Sequence, residues 1–132
     1  MIRLLAAVST VLFLTGCSSG PQTPNDAHSP APANAMPLNG EQIQRTLVGQ
    51  KLESRTEKGE RFWQILNRGG TANIKIADYS EVEGAWTLRG DVICVTYKEY
   101  GTECNTARSD GVSVWLIDEN KQTTNNKFTL RQ

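Results

Sequence analysis

Histidine is almost missing from this chain, with one residue, His28, in 132. From Leu38 onward there is none, which removes from that part the usual general base of serine and cysteine catalysis and the commonest metal ligand. Lysine, tyrosine and carboxylate chemistry stays open. All five prolines fall at or before Pro37, so nothing beyond it interrupts a β-ladder. An excess of either charge is also absent, with 14 basic and 14 acidic residues. Binding of nucleic acid by phosphate neutralisation is excluded on that ground, and no polybasic stretch is present to hold anionic lipid. Phosphate-cradling loops are missing too, because Arg68-Gly69-Gly70 is followed by neither lysine nor a helical pattern. Cys94 and Cys104 have no histidine partner after Leu38, too small a set for a zinc site. No metal, cofactor or catalytic residue is assigned.

Long apolar runs are limited to residues 4–14, too short for a permanent membrane span. Arg3 before this run and the small residues Thr15 and Gly16 after it make the three parts of a secretory signal. The run ends on Leu14-Thr15-Gly16-Cys17, which resembles the lipobox of bacterial lipoproteins. By that resemblance residues 1–16 are removed as a signal peptide, and Cys17 becomes a lipidated first residue carrying acyl chains. Ser18 after it resembles the sorting signal of outer-membrane lipoproteins that face the periplasm. An ordinary cleaved signal with a chance cysteine is the other reading. Thirteen basic residues then remain against fourteen acidic ones, so attachment to the membrane falls to the acyl chains, which anchor stably once two or more are present.

Lipidation of Cys17 leaves Cys94 and Cys104 as an even remainder, and in an exported domain that suggests a disulfide. Two free buried thiols are the alternative. Residues 18–37 hold every proline and almost no large apolar side chain, and with Cys17 they read as a disordered tether. Its twenty residues reach about 60 Å as polyproline II and about 25 Å as a coil. His28 lies in this tether, as a solvated linker residue.

Residues 38–132 read as one small antiparallel β domain. Asn39 and Gln42 have the spacing of a capping box, Leu38 and Ile43 that of a hydrophobic staple, and Gly49 a stop, which predicts a short helix over 40–48. Such a helix must pack on something, since two turns are unstable alone. Turn signals every eight to twelve residues then divide the chain into about eight short strands, at 50–56, 61–67, 71–77, 85–89, 92–98, 102–108, 112–118 and 125–130. Alternation pairs Trp86 with Leu88, Ile74 with Ile76, Val112 with Val114 and Leu116, and Phe128 with Leu130 on one face each. A meander of this kind closes its edges as a barrel; a two-sheet sandwich is the other solution. A hairpin turning about Glu99 puts Cys94 opposite Cys104, close enough to bridge.

Functional candidates are few. Asp78, Glu81 and Glu83 lack calcium-loop spacing and read as a solvated turn. Arg89-Gly90-Asp91 spells an adhesion tripeptide where a turn is required. Trp86 is a core residue by its face, whereas Trp63 and Trp115 sit among residues of both faces and are the candidate contact residues. Gly84-Ala85-Trp86 followed by a cysteine strand is similar to the Gly-x-Trp strand entry of small lipocalin-like periplasmic domains, including metalloprotease inhibitors and outer-membrane lipoproteins. The expectation is therefore a membrane-anchored envelope lipoprotein whose β domain binds an envelope protein or a glycan without catalysis, in the sharper version as an enzyme inhibitor. A structural lipoprotein without a ligand, or a hydrolase, are the alternatives.

Overall fold

The computed structural model describes residues 26–130. The expected signal segment, Cys17 and the first part of the expected tether lie outside the described residues. A 3-10 turn, Asp26–His28, and a two-residue strand, β1 (Met36–Pro37), precede helix α1 (Gly40–Leu47). Eight strands follow: β2 (Lys51–Arg55), β3 (Arg61–Leu66), β4 (Thr71–Ile76), β5 (Val82–Arg89), β6 (Val92–Tyr97), β7 (Gly101–Ser109), β8 (Ser113–Asp118) and β9 (Thr124–Thr129). They pair antiparallel in chain order from β2 to β9, so each tight turn joins spatial neighbours. β2 and β9 come together without a ladder, and the Ser54 hydroxyl donates to the Lys127 carbonyl at 2.9 Å across that seam. The result is a nearly closed barrel rather than a sandwich.

α1 forms where the capping residues predict it. Asn39 accepts from the Gln42 amide at 2.9 Å and Gln42 Oε1 accepts from the Asn39 amide at 2.8 Å. One face of the helix carries Ile43 and Leu47, both wholly buried. With Leu52, Leu66, Ile93 and Val114 they form an apolar plug at one end of the barrel. The β5–β6 turn locks the helix there, since Asp91 Oδ1 accepts from the Gly40 amide at 2.9 Å. Gly40 is required, because a Cβ at this position would collide with the Gly90 carbonyl. The adhesion-like tripeptide is thus occupied structurally, with Arg89 paired to Glu119 at 2.9 Å and Asp91 holding α1.

Strand bounds shift in places. β5 begins at Val82, three residues before the expected 85, and the acidic link shortens accordingly, because Asn73 and Ile74 of β4 continue their ladder to Glu83 and Val82. Val112 is 53% exposed and stands outside β8, since Asp110 Oδ1 accepts from the amides of Val112 and Ser113 and bends the chain into a turn there.

The part of the tether from Asp26 to Pro37 is seated on the barrel. Met36 and Pro37 pair with Ser109 and Arg108 of β7, Arg108 Nε donates to the Ala35 carbonyl at 3.0 Å, and Lys127 pairs with Asp26 at 3.2 Å. Composition alone pointed to an unattached segment; buried Ala35 and the free edge of β7 beyond its pairing with β6 supply the attachment.

Candidate functional site at the open end of the barrel

The barrel interior divides along its axis. The α1 end is filled by aliphatic side chains, as described above. At the other end, strands β3, β4, β6, β7, β8 and β9 surround a cavity of about 320 Å³, at the small end of the ~300–1,000 Å³ typical of small-molecule sites. Phe62, Ile74, Ile76, Val95 and Leu116 supply its apolar wall. Polar groups enter the same space. The Tyr97 hydroxyl donates to Gln64 Oε1 at 2.8 Å, both residues being buried, and Asn125 Nδ2 donates to Asn105 Oδ1 at 2.7 Å. Burial, and next the Glu103 charge, push the Tyr97 hydroxyl well above its ordinary range, which keeps it protonated as a donor.

Gly84 makes this arrangement possible. It lies opposite Tyr97 in the β5–β6 ladder, and a Cβ there would run into the Tyr97 ring and the Thr96 carbonyl. Two residues on, Trp86 enters the core and its indole N–H donates to the Asn67 carbonyl at 2.7 Å. The Gly-x-Trp step therefore opens room for one aromatic ring and inserts another.

Glu103 is the unusual member. It stands opposite Val95, on the face that carries Asn105 and Ala107 inward, and it lines the cavity. It is exposed to solvent at the mouth. Partial enclosure by the mouth raises its carboxyl above the usual carboxylate range, the charges of Asp118 and Glu57 add to the rise, and His28 opposes it. No hydrogen bond or ion pair satisfies Glu103 among the described residues. His28, expected in a solvated tether, reaches the rim of this cavity, and its Nε2 is buried without a hydrogen-bond partner among the described residues. The sequence argument from missing histidine therefore holds for residues 38–132 but not for the mouth. The cavity lining contains no serine or cysteine among the described residues.

The predicted site residues are distributed differently. Cys94 and Cys104 are paired in register and bonded, with Cα atoms 4.0 Å apart, on the outer face opposite to Ile93 and Val95. Trp63 lies half-buried on the outer face of β3 with the Lys51 ammonium 5.2 Å from its ring. Trp115 is not an exposed contact residue: it is 4% exposed. It faces outward between Arg108 and Lys127, the two side chains that hold the leading segment, with the Lys127 ammonium 5.5 Å from its ring. Trp63 and Trp115 thus do not form one platform. Asp78 borders an outer concavity with Trp63, and Glu81 accepts from Asn73 at 3.4 Å.

Among the described residues, no cluster of histidine, cysteine and carboxylates is placed to hold a metal ion, and no helix is long and apolar enough to cross a membrane. Comparison with protein families, curated proteins and solved structures gives no match to this chain.

Proposed function

We propose that this chain is a bacterial envelope lipoprotein, anchored through acyl chains on Cys17 and sited by Ser18 at the outer membrane, whose barrel is a non-catalytic binding module acting through its open end. The observation that carries the binding role is the asymmetry of the interior. One end is sealed by Ile43, Leu47 and their aliphatic neighbours, whereas the other holds a cavity with inward polar groups, Glu103 among them, that contribute nothing to an apolar core. His28 Nε2 at the rim is buried without a hydrogen-bond partner among the described residues, and such an atom is costly, so a bound group that satisfies it gives the arrangement a purpose. A cavity lining without serine or cysteine, and a tyrosine kept protonated, favour binding over nucleophilic catalysis. The disulfide fits an oxidising compartment.

The test uses the intact chain in a bacterial envelope, with a photoreactive benzophenone amino acid at Tyr100 on the open rim or at Val112 at the sealed end, both exposed in the wild-type chain. A discrete adduct from position 100 and none from position 112 is expected. No adduct from position 100, or equal adducts from both, would overturn binding through the open end. Loss of palmitate labelling in Cys17→Ser tests the anchor. The inhibitor version uses the same rim, and a screen of hydrolase classes against the purified protein reads it out.

A further inference from the structure

The cavity at the open end has a chemical preference, and naming it rests on the reading that this end binds. We propose that the cavity takes a small organic cation with an apolar body, the ammonium group lying between Glu103 and His28 and the body against the wall formed by Val95, Leu116 and Ile74.

Three observations converge on this class. The wall residues are aliphatic or aromatic over a cavity of about 320 Å³, which favours a ligand whose bulk is apolar. At the rim, Glu57, Glu60 and Glu103 face Lys58 as the one lysine of the lining, so carboxylates outnumber ammonium groups there and disfavour an anionic head group. Glu103, exposed at the mouth, has no hydrogen bond or ion pair within the protein among the described residues, and His28 Nε2, buried without a hydrogen-bond partner there, accepts one when the imidazole is neutral. An ammonium offers donors to both and none of the acceptor lone pairs that an alcohol or a carboxylate would bring. Tyr97 and Tyr100, edge to face with ring centroids 6.2 Å apart, add aromatic surface on the same side, which attracts a cation over a ring face.

The other polar groups of the cavity are already satisfied. Asn105 is engaged by Asn125, and Gln64 by Tyr97, so a neutral polyol would have to break existing pairs to gain new ones. The groups that face Glu103 are Tyr97 from β6, Glu57 from the β2–β3 turn, Asp118 from the end of β8 and His28 from the 3-10 turn. Two of these four are carboxylates, and a bound cation relieves their mutual repulsion.

Three probes of one shape separate the possibilities: phenylpropylamine, phenylpropanol and phenylpropionate. Each is titrated into the whole chain from residue 17 onward, carrying Cys17→Ser so that no acyl chain is added, while backbone amide shifts are followed by NMR near pH 7. The amine should give saturable shifts at Val95, Tyr97, Glu103 and Leu116, with affinity roughly tenfold or more above the alcohol, the size of one hydrogen bond to a charged group. Glu103→Gln should bring the amine down to the alcohol's affinity while leaving the fold intact. An alcohol or acid that binds as tightly as the amine overturns the charge preference and leaves binding at the open end standing. Saturable amine binding that Glu103→Gln does not weaken overturns the role of Glu103. Absence of saturable shifts from all three overturns the proposal, and the photo-adduct at position 100 then decides separately whether this end binds anything.

Discussion

Glu103 is exposed in the barrel mouth without a protein partner among the described residues, and partial enclosure by the mouth, then the charges of Asp118 and Glu57, oppose its ionisation. Its carboxyl titrates above the ordinary range in the folded chain, so between the unfolded and folded values the native state binds more protons than the unfolded state. Stability from this group is then present at low pH and is lost as pH rises through the folded value. Asp110 and Asp118 have the opposite sign. Backbone amides of Ser113 and Val112 hold Asp110 below the usual range, and those of Lys121 and Asn120 do the same for Asp118. Their contribution is present above the unfolded value and lost as pH falls through the folded one. Glu103→Gln is therefore expected to raise Tm at neutral pH and to lose that advantage near pH 4, as thermal unfolding followed by circular dichroism at both pH values would show. A lower Tm for the variant at neutral pH would mean that Glu103 has a partner that stabilises its charge.

At the scale of elements, the β6–β7 hairpin and the leading segment contribute in different ways. The hairpin was fully legible in the sequence, because Cys94 and Cys104 are equally distant from Glu99 and the ladder follows that symmetry. Its disulfide closes a short loop, worth on the order of 2–3 kcal/mol in the chain-entropy account. The double variant Cys94→Ala, Cys104→Ala should lose about that much in urea unfolding, a change no larger than a few tenths being the contrary result. The leading segment was not legible. Residues 26–37 have tether composition, and what fixes them is the exposed edge of β7 at Arg108 and Ser109 together with Lys127 of β9, groups far away in sequence. Trp115 stands between Arg108 and Lys127, the two side chains that hold this segment. Deleting residues 26–35 should uncover it, so that tryptophan emission shifts to longer wavelength while the β-sheet circular dichroism persists; unchanged emission would show that something else covers the ring.

For the whole molecule, the meander and the α1 cap followed from local signals: turn residues at regular intervals, the Asn39 and Gln42 pair, and alternation that puts Ile93, Val95 and Tyr97 on one face. Closure into a barrel followed from the need to remove edges, and the Ser54 to Lys127 bond with the edge-to-face pair of Phe62 and Phe128, 6.1 Å between centroids, completes it. The cavity did not follow. Polarity gives Gln64, Glu103 and Asn105 no inward signal, and the ladder register turns them inward, while Asn125 falls at the register shift between β8 and β9. His28 was beyond reach for the same reason as its segment. The division into a sealed apolar end and an open polar end is the central claim, and it is tested most directly by the yield of the position-100 photo-adduct in a chain that also carries Val95→Trp, which fills the mouth from within. The account predicts that the adduct falls to background while the amount of folded protein in the envelope is unchanged. An adduct of undiminished yield from the filled barrel would contradict it.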